Sequence, residues 1–399
     1  MTDLPVLGAR QMNRLRIIEA LYRRPLSSRA DLTRHAHLSR ATVSTLVEEL
    51  VRAGLVEEHA GVAASEPSPE GALGRPPVRL SLVSRSAFAV GLDFGHQHIR
   101  VALCDLSGEP IVDDYSPADV DHAPAESLDL AHELVREALR RAGVAPDQLL
   151  GVGMGLAVPI NKTTGALEAD GILPGWHGIR PAAEMEARLG IPVALDNDAN
   201  LGALGEEAYG AARGVDNLVY IRLSAGIGAG LILEGHPYPG VAGVAGEVGH
   251  VLSDPSGPIC RCGNRGCLEA VASPVAVAAL LERSLGEPVS VQRLLELVAD
   301  GHRGARRAVA DAGEAVGRAA AMLVNILNPE LVVVGGDLAS AGEVLLDPIT
   351  AAIERHSVAP AASSARVVPG ALGPRAEVLG AAALILAKSP RALVARLEA

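Results

Sequence analysis

The chain has 399 residues, of which 49% are hydrophobic, 21% charged and 2% aromatic. That length allows two or three domains with cores that need no disulfide staples, and the composition argues against a disordered or low-complexity chain and against single-strand RNA readers, which stack bases on aromatic rings. The net charge of -12 conceals an asymmetry: residues 1–85 hold 12 Arg against 9 Asp plus Glu, so a basic head precedes an acidic body and only the head suits a polyanion.

In the head, residues 10–24 read as a helix with Leu15, Ile18, Leu21 and Tyr22 as its apolar stripe, stopped by Pro25. Ser28 stands three residues before Asp31 as the N-cap of a short second helix, and Leu38-Ser39 forms a turn into a third. In that third helix Val43, Leu46, Val47 and Leu50 face the core, while Arg40, Thr42, Ser44 and Thr45 sit at the opposite, leading end. Small hydroxyls and an arginine in the first turn suit a helix entering a DNA major groove. Leu55 to Glu58 and Val78 to Leu82 read as two wing strands, and Arg75 between them, beside Pro76 and Pro77, is placed to enter a minor groove. The alternative for 60–77 is a plain linker. Residues 1–84 are therefore expected to be a winged helix-turn-helix that binds double-stranded DNA, with Ser28, Ser39, Arg40, Thr42, Ser44, Thr45 and Arg75 as candidate contacts.

After Ser84, strands (87–93, 99–106, 149–158, 191–195, 217–223, 229–233, 331–334) alternate with helices (124–142, 180–189, 198–212 and two longer stretches, 274–299 and 303–327), which argues an α/β body over 85–399. Three of the four cysteines lie in Cys260-Arg261-Cys262-Gly263-Asn264-Arg265-Gly266-Cys267, ten residues after His250. Three thiolates and one imidazole make a closed tetrahedral shell for a structural zinc, whereas a disulfide would leave one of the three cysteines unpaired. Cys104 reads as core. Glu247 and Glu269 flank the metal site and would be held rigidly enough to accept hydroxyls of a polyol. Asp196-Asn197-Asp198-Ala199-Asn200 follows a buried strand and opens a helix, the edge where open α/β sheets place ligands; helix capping accounts for one residue of the run. No apolar run reaches about 18 uncharged residues, so neither a membrane span nor a secretory signal is read, and a cytoplasmic location is expected.

These motifs resemble the ROK family (repressors, open reading frames and sugar kinases), in its repressor branch. The likeness spans essentially the whole chain and rests most on Gly246-Glu247-Val248-Gly249-His250 and the cysteine loop through Glu269, then on Asn197-Asp198-Ala199-Asn200, Gly226-Ile227-Gly228-Ala229-Gly230, Asn328-Pro329 and Gly335-Gly336. The resemblance implies a two-lobed, actin-like, ribonuclease H-related body with a sugar in its cleft. It implies Asn197, Asp198, Glu247, His250 and Glu269 as sugar contacts, Asp198 as the counterpart of the kinase general base, and His250, Cys260, Cys262 and Cys267 as zinc ligands.

Two departures stand out. Where kinases of the family carry a glycine-rich phosphate loop with a threonine, this chain reads Asp93-Phe94-Gly95-His96-Gln97-His98, and a side chain at 96 obstructs a backbone cradle for phosphate. Before Pro174-Gly175-Trp176, Ile172 stands where the kinases place an asparagine. The expectation is a sugar-responsive transcriptional regulator, a repressor of carbohydrate genes, acting as a homodimer or homotetramer without ATP. Two rivals stand beside it: an ATP-dependent hexose kinase with an appended DNA-binding head, and a DNA-binding protein whose body is a ligand-free dimerisation scaffold.

Overall fold

The computed structural model describes residues 8–60, 78–167 and 172–397. The head opens with α1 (Ala9–Arg23), which buries Leu15, Ile17, Ile18 and Leu21, and passes through the two-residue strand β1 (Ser27–Ser28) into α2 (Arg29–His35). The Ser28 hydroxyl accepts from the Asp31 amide at 3.2 Å and the Asp31 carboxylate accepts from the Ser28 amide at 2.9 Å, a reciprocal cap that fixes where α2 begins. His37 turns the chain at φ 53°, and α3 (Arg40–Arg52) follows with Ser39 as its cap and Val43, Leu46, Val47 and Leu50 buried, as their spacing predicts. The wing strands β2 (Val56–His59) and β3 (Arg79–Leu82) pair antiparallel, and β3 also takes β1 on its other side. Arg75 and the rest of the wing tip lie outside the described residues.

Asp31 ties this head together. Burial alone would raise its carboxyl, but hydrogen bonds from Ser28 and the Arg34 guanidinium outweigh it and bring the pKa to about 2, and Arg79 on β3 lies 3.2 Å away. Asp31→Ala is expected to cost about 1–2 kcal/mol in a urea titration at neutral pH. A carboxyl held that low contributes in full above its ordinary value and loses its contribution as pH falls through about 2. The deficit should therefore be constant from neutral pH down to about pH 4 and close below it; a deficit that persists in stronger acid counts against the ion pairs.

The body holds two sheets of the same design. In the first, β4 (Phe88–Phe94), β5 (His98–Asp105) and β6 (Pro110–Pro117) form an antiparallel meander; α4 (Pro124–Ala142) leads to β7 (Leu149–Leu156), and α5 (Pro181–Leu189) to β8 (Val193–Asn197), both parallel to β4. The strand order is β6-β5-β4-β7-β8. After α6 (Asp198–Tyr209) the second sheet repeats the plan with β9 (Leu218–Leu223), β10 (Ile227–Leu233) and β11 (His236–Pro237), order β11-β10-β9-β12-β13. Between and beyond lie α7 (Leu268–Ala272), α8 (Pro274–Leu285), α9 (Val291–Ala299), α10 (Arg303–Leu327), β12 (Leu331–Gly335), α11 (Glu343–His356), α12 (Ala359–Ser364), β13 (Arg366–Pro369), α13 (Ala376–Leu386) and α14 (Ser389–Arg396). A three-strand meander continued by two parallel strands, used twice, is the actin-like, ribonuclease H-related plan.

The stretch 274–299, expected as one helix, is two. Gly286 ends α8 at φ 73°, and Ser290 starts α9 by accepting from the Arg293 amide at 3.1 Å. The expected helix 198–212 stops at Tyr209, where Gly210 follows.

Two helices join the sheets. A Cβ on Gly205 of α6 would lie 2.2 Å from the Ala376 carbonyl oxygen, and one on Gly230 of β10 would lie 2.3 Å from that of Ala199. Helix α13 runs equally close to the first sheet at Gly91 and Gly153, and nearly all its residues are buried. The head is not a separate bead: Leu15, Ile18, Leu80, Val378, Leu386, Leu393 and Val394 share one apolar cluster across residue 84. Among the described residues no single helix is long and apolar enough to cross a membrane.

Candidate functional site

The site is assembled where β8 ends, α6 begins and the segment after β11 folds back on β10. Gly246 makes that return possible: at φ 96° its Cβ position lies 1.9 Å from the Ala229 carbonyl oxygen, so only glycine lets the backbone lie against β10. Glu247 and His250 are thereby set beside the strand.

The loop that follows brings the four expected metal ligands together. The donor atoms of His250, Cys260, Cys262 and Cys267 all lie within 4.8 Å of one another. The Cys260 Sγ is 3.6 Å from His250 Nδ1 and the Cys262 Sγ is 3.6 Å from that of Cys267. A tetrahedral zinc with its usual bond lengths needs ligand separations of about 3.5–3.8 Å, which these two pairs meet, and the chemistry of three thiols and one imidazole suits that ion. Gly263 and Gly266 take φ of 88° and 70°, and a Cβ on Gly266 would be 1.6 Å from the Asp254 carbonyl oxygen. With Nδ1 facing the thiols, His250 turns Nε2 toward Glu247, whose Oε2 is 3.8 Å away. Cys104 is buried in β5, as expected.

Asn197, Asp198, Glu247, His250 and Glu269, named from the sequence, line one cleft together with His96, Ile172, Arg222 and Arg261. Asn197 fills both roles open to it. Its Oδ1 caps α6 through the Ala199 amide at 2.9 Å, its Nδ2 donates to the Val158 carbonyl at 3.2 Å, and it still lines the cleft. Burial, then the charges of Asp198 and Glu269, push the Glu247 carboxyl up to about 7. Glu269 holds the Arg261 guanidinium in a bidentate pair at 2.8 and 2.9 Å and accepts from the Ile227 amide at 3.1 Å.

Two histidines stand on the turn from β4 into β5, where a glycine-rich loop would leave bare backbone. His96 Nδ1 lies 2.8 Å from Asp121, and His98 Nε2 lies 3.2 Å from Asp93 while its ring stacks on Tyr115. Two charged residues of the cleft were not singled out from the sequence, Arg222 and Arg261. Arg222 carried a signal, a lone charge in the strand Leu-Val-Tyr-Ile-Arg-Leu; Arg261 was read only as part of the zinc loop.

On the head, Ser39, Arg40 and Thr45 are exposed at the leading end of α3, and Thr42 and Ser44 are half-buried beside them. Ser28 is 7% exposed and its hydroxyl lies 2.7 Å from the Asp31 carboxylate, so it stands apart from this surface and serves as a cap. Glu49, a turn further along α3, is neutralised by Arg10 and Arg14.

A duplicated actin-like body with a clustered His/Cys loop, carried behind a winged helix-turn-helix, defines the class. The ROK family model matches residues 89–388 and the MarR family model residues 10–63. The chain belongs to the ROK family. It is 30% identical to the xylose repressor of Caldicellulosiruptor bescii over 94% of this chain and 96% of that one. Among solved structures it resembles a ROK family transcriptional regulator, homolog of the Escherichia coli MLC protein, with TM-score 0.80, 26% identity and coverage of 98% and 99%. It also resembles a ROK family glucokinase from Streptomyces griseus, solved with glucose and AMPPNP, with TM-score 0.67, 26% identity and coverage of 75% of this chain and 99% of that one.

Proposed function

We propose that this protein is a sugar-responsive, DNA-binding transcriptional repressor, and that residues 1–84 read an operator while residues 85–399 bind the effector. The observation that carries the reading is the pairing, in one chain, of an exposed helix-leading surface (Ser39, Arg40, Thr45) with a carboxylate-lined cleft beside which the turn from β4 into β5 carries His96 and His98, paired with Asp121 and Asp93. The near full-length likeness to a protein named xylose repressor supports it. Pentoses and hexoses are both in range as effectors. Ile172 lines the cleft with an apolar face, so the preferred sugar makes one hydrogen bond fewer there than a kinase substrate makes.

In this reading His250, Cys260, Cys262 and Cys267 hold a zinc whose task is structural: it fixes the loop that presents Glu247, His250 Nε2 and Glu269 to sugar hydroxyls. The protein works in the cytoplasm, where operators are, and as a homodimer or homotetramer on paired half-sites, which raises affinity through effective concentration.

Gel-shift titrations on a genomic library fragment set, with and without a sugar panel that includes xylose and glucose, test the reading. One sugar should release the bound operator, and Arg40→Ala and Arg75→Ala should each flatten the logarithmic salt dependence by about one unit. Salt slopes unchanged in both variants return the head surface and the wing to a structural role.

One observation favours a second reading. Asp198 lies at the cleft end of α6, where a general base for ATP-dependent hexose phosphorylation stands in the kinases. Sugar-dependent ADP release that disappears in Asp198→Ala would establish that activity.

A further inference from the structure

Arg222 is the only charged residue of β9, and its side chain is 12% exposed. Its Nη1 lies 2.8 Å from Asp198 Oδ2 at the start of α6, and its Nε lies 2.8 Å from Glu377 Oε1 near the start of α13. The Tyr220 hydroxyl donates to the same Glu377 oxygen at 3.3 Å. Asp93, at the end of β4, faces the guanidinium from the other lobe and is itself held by His98. One side chain of the second sheet thus reaches the acidic N-termini of both helices that join the sheets.

Its position divides the interlobe space. Arg222 lines the small cleft of Glu247 and His250, and it lines the larger cavity bounded by Ser224, Gly336 and Asp337. In a phosphoryl transferase of this fold a sugar hydroxyl and the terminal phosphate of a nucleotide would have to meet at that boundary. Here a guanidinium occupies it.

We propose that Arg222 is a positioning residue that takes the place of the nucleotide's phosphoryl end: it walls the sugar cleft off from the nucleotide cavity and holds Asp198 as a fixed carboxylate for a sugar hydroxyl with no nucleotide bound. This rests on the effector reading above for its sugar. With Oδ2 held by the guanidinium at 2.8 Å and Oδ1 by the Ala199 amide at 2.8 Å, the Asp198 carboxylate is fixed in one orientation, ready to accept a hydrogen bond from a sugar hydroxyl. Burial by itself would favour the neutral arginine, but Asp198, Glu377 and Asp93 outweigh it and raise its pKa well above the ordinary value.

The test compares the full-length chain with Arg222→Met, Arg222→Lys and the double variant Arg222→Met/Glu377→Gln, by calorimetry with sugar and by thermal melting across pH. Wild-type sugar affinity should be the same with and without magnesium and AMPPNP. Arg222→Met should bind sugar about tenfold or more weakly, and Arg222→Lys should recover part of the loss. Without the guanidinium, Asp198, Glu377 and Asp93 face one another, with Tyr220, Glu206, His98 and Arg100 around them. Burial already raises the Glu377 carboxyl and Arg222 opposes that rise, so once the counter-ion is gone the melting deficit of Arg222→Met should narrow as pH falls from about 8 to about 5. The double variant removes one of the orphaned charges and should regain stability without regaining sugar affinity.

Affinity that returns together with stability in the double variant reduces Arg222 to a structural bolt and overturns the proposal. So does wild-type affinity in Arg222→Met, or sugar binding that needs the nucleotide. A wild-type chain that binds no sugar overturns the effector reading, and a melting deficit that does not change with pH overturns the counter-ion role separately.

Discussion

If the cluster of His250, Cys260, Cys262 and Cys267 holds zinc as proposed, replacing Cys262 with serine is expected to strip the metal and to weaken sugar binding by about tenfold or more. Cys262 is the exposed member of the set, so serine fits without a clash and the loss is one of coordination. A serine hydroxyl is not ionised at neutral pH and is a poor zinc ligand, and a closed four-ligand shell reduced to three no longer competes with chelators. The consequence reaches the cleft because the ligands and the sugar contacts share a short piece of backbone. His250 presents one ring nitrogen to each side. Cys267 stands at the N-cap of α7, two residues before Glu269, whose carboxylate holds Arg261 and the Ile227 amide. Once the metal leaves, Arg261 and Glu269 are free to shift and the hydroxyl-accepting frame loosens. Metal analysis of the purified variant and calorimetry with the effector read the two effects separately. Stoichiometric zinc in the variant would contradict the ligand assignment; a zinc-free protein with unchanged sugar affinity would detach the metal from the cleft.

How much of this could be read from the sequence depends on how far apart the cooperating residues lie in the chain. The metal loop was legible because its donors fall within a short segment in which glycines at fixed offsets announce the tight turns. The cleft residues were legible because each sits in its own local motif, Asn197-Asp198 at a strand-to-helix edge, Glu247 between Gly246 and Gly249, and His250 directly after Gly249. The lock between Arg222 and Glu377 spans 155 residues, and nothing near Glu377 in Ala-Glu-Val-Leu-Gly hints at a partner. The edge strand β6, Pro-Ile-Val-Asp-Asp-Tyr-Ser-Pro, buries only Val112 and so shows little apolar alternation. Helix α13 fails to announce itself for the opposite reason: an apolar run buried on all sides has no periodic contrast. Ser28 reads as a cap from the sequence and caps α2, but its burial does not show in the sequence, because it comes from β1 pairing with β3, a strand some fifty residues further along.

Gly380→Ala is expected to be the most damaging methyl group that can be added inside a described helix of the body. The Cβ it introduces would stand 1.7 Å from the Leu201 carbonyl oxygen and 2.9 Å from the Gly205 amide nitrogen, and both are backbone atoms that no rotamer change can move. Alanine favours helix over glycine by up to about 1 kcal/mol, so local propensity predicts a mild gain. The close approach of α13 to α6 overrides it: the helices must separate, and overpacking of this kind costs about 3 kcal/mol or more. Separation also moves the far end of α6. Asn197 caps that end and Asp198 begins it, only three residues before Leu201, so the sugar-facing carboxylate is displaced along with the helix. The variant should therefore show a lower urea midpoint and a loss of effector affinity. A midpoint at or above that of the wild type would show that α6 and α13 do not touch at Gly380.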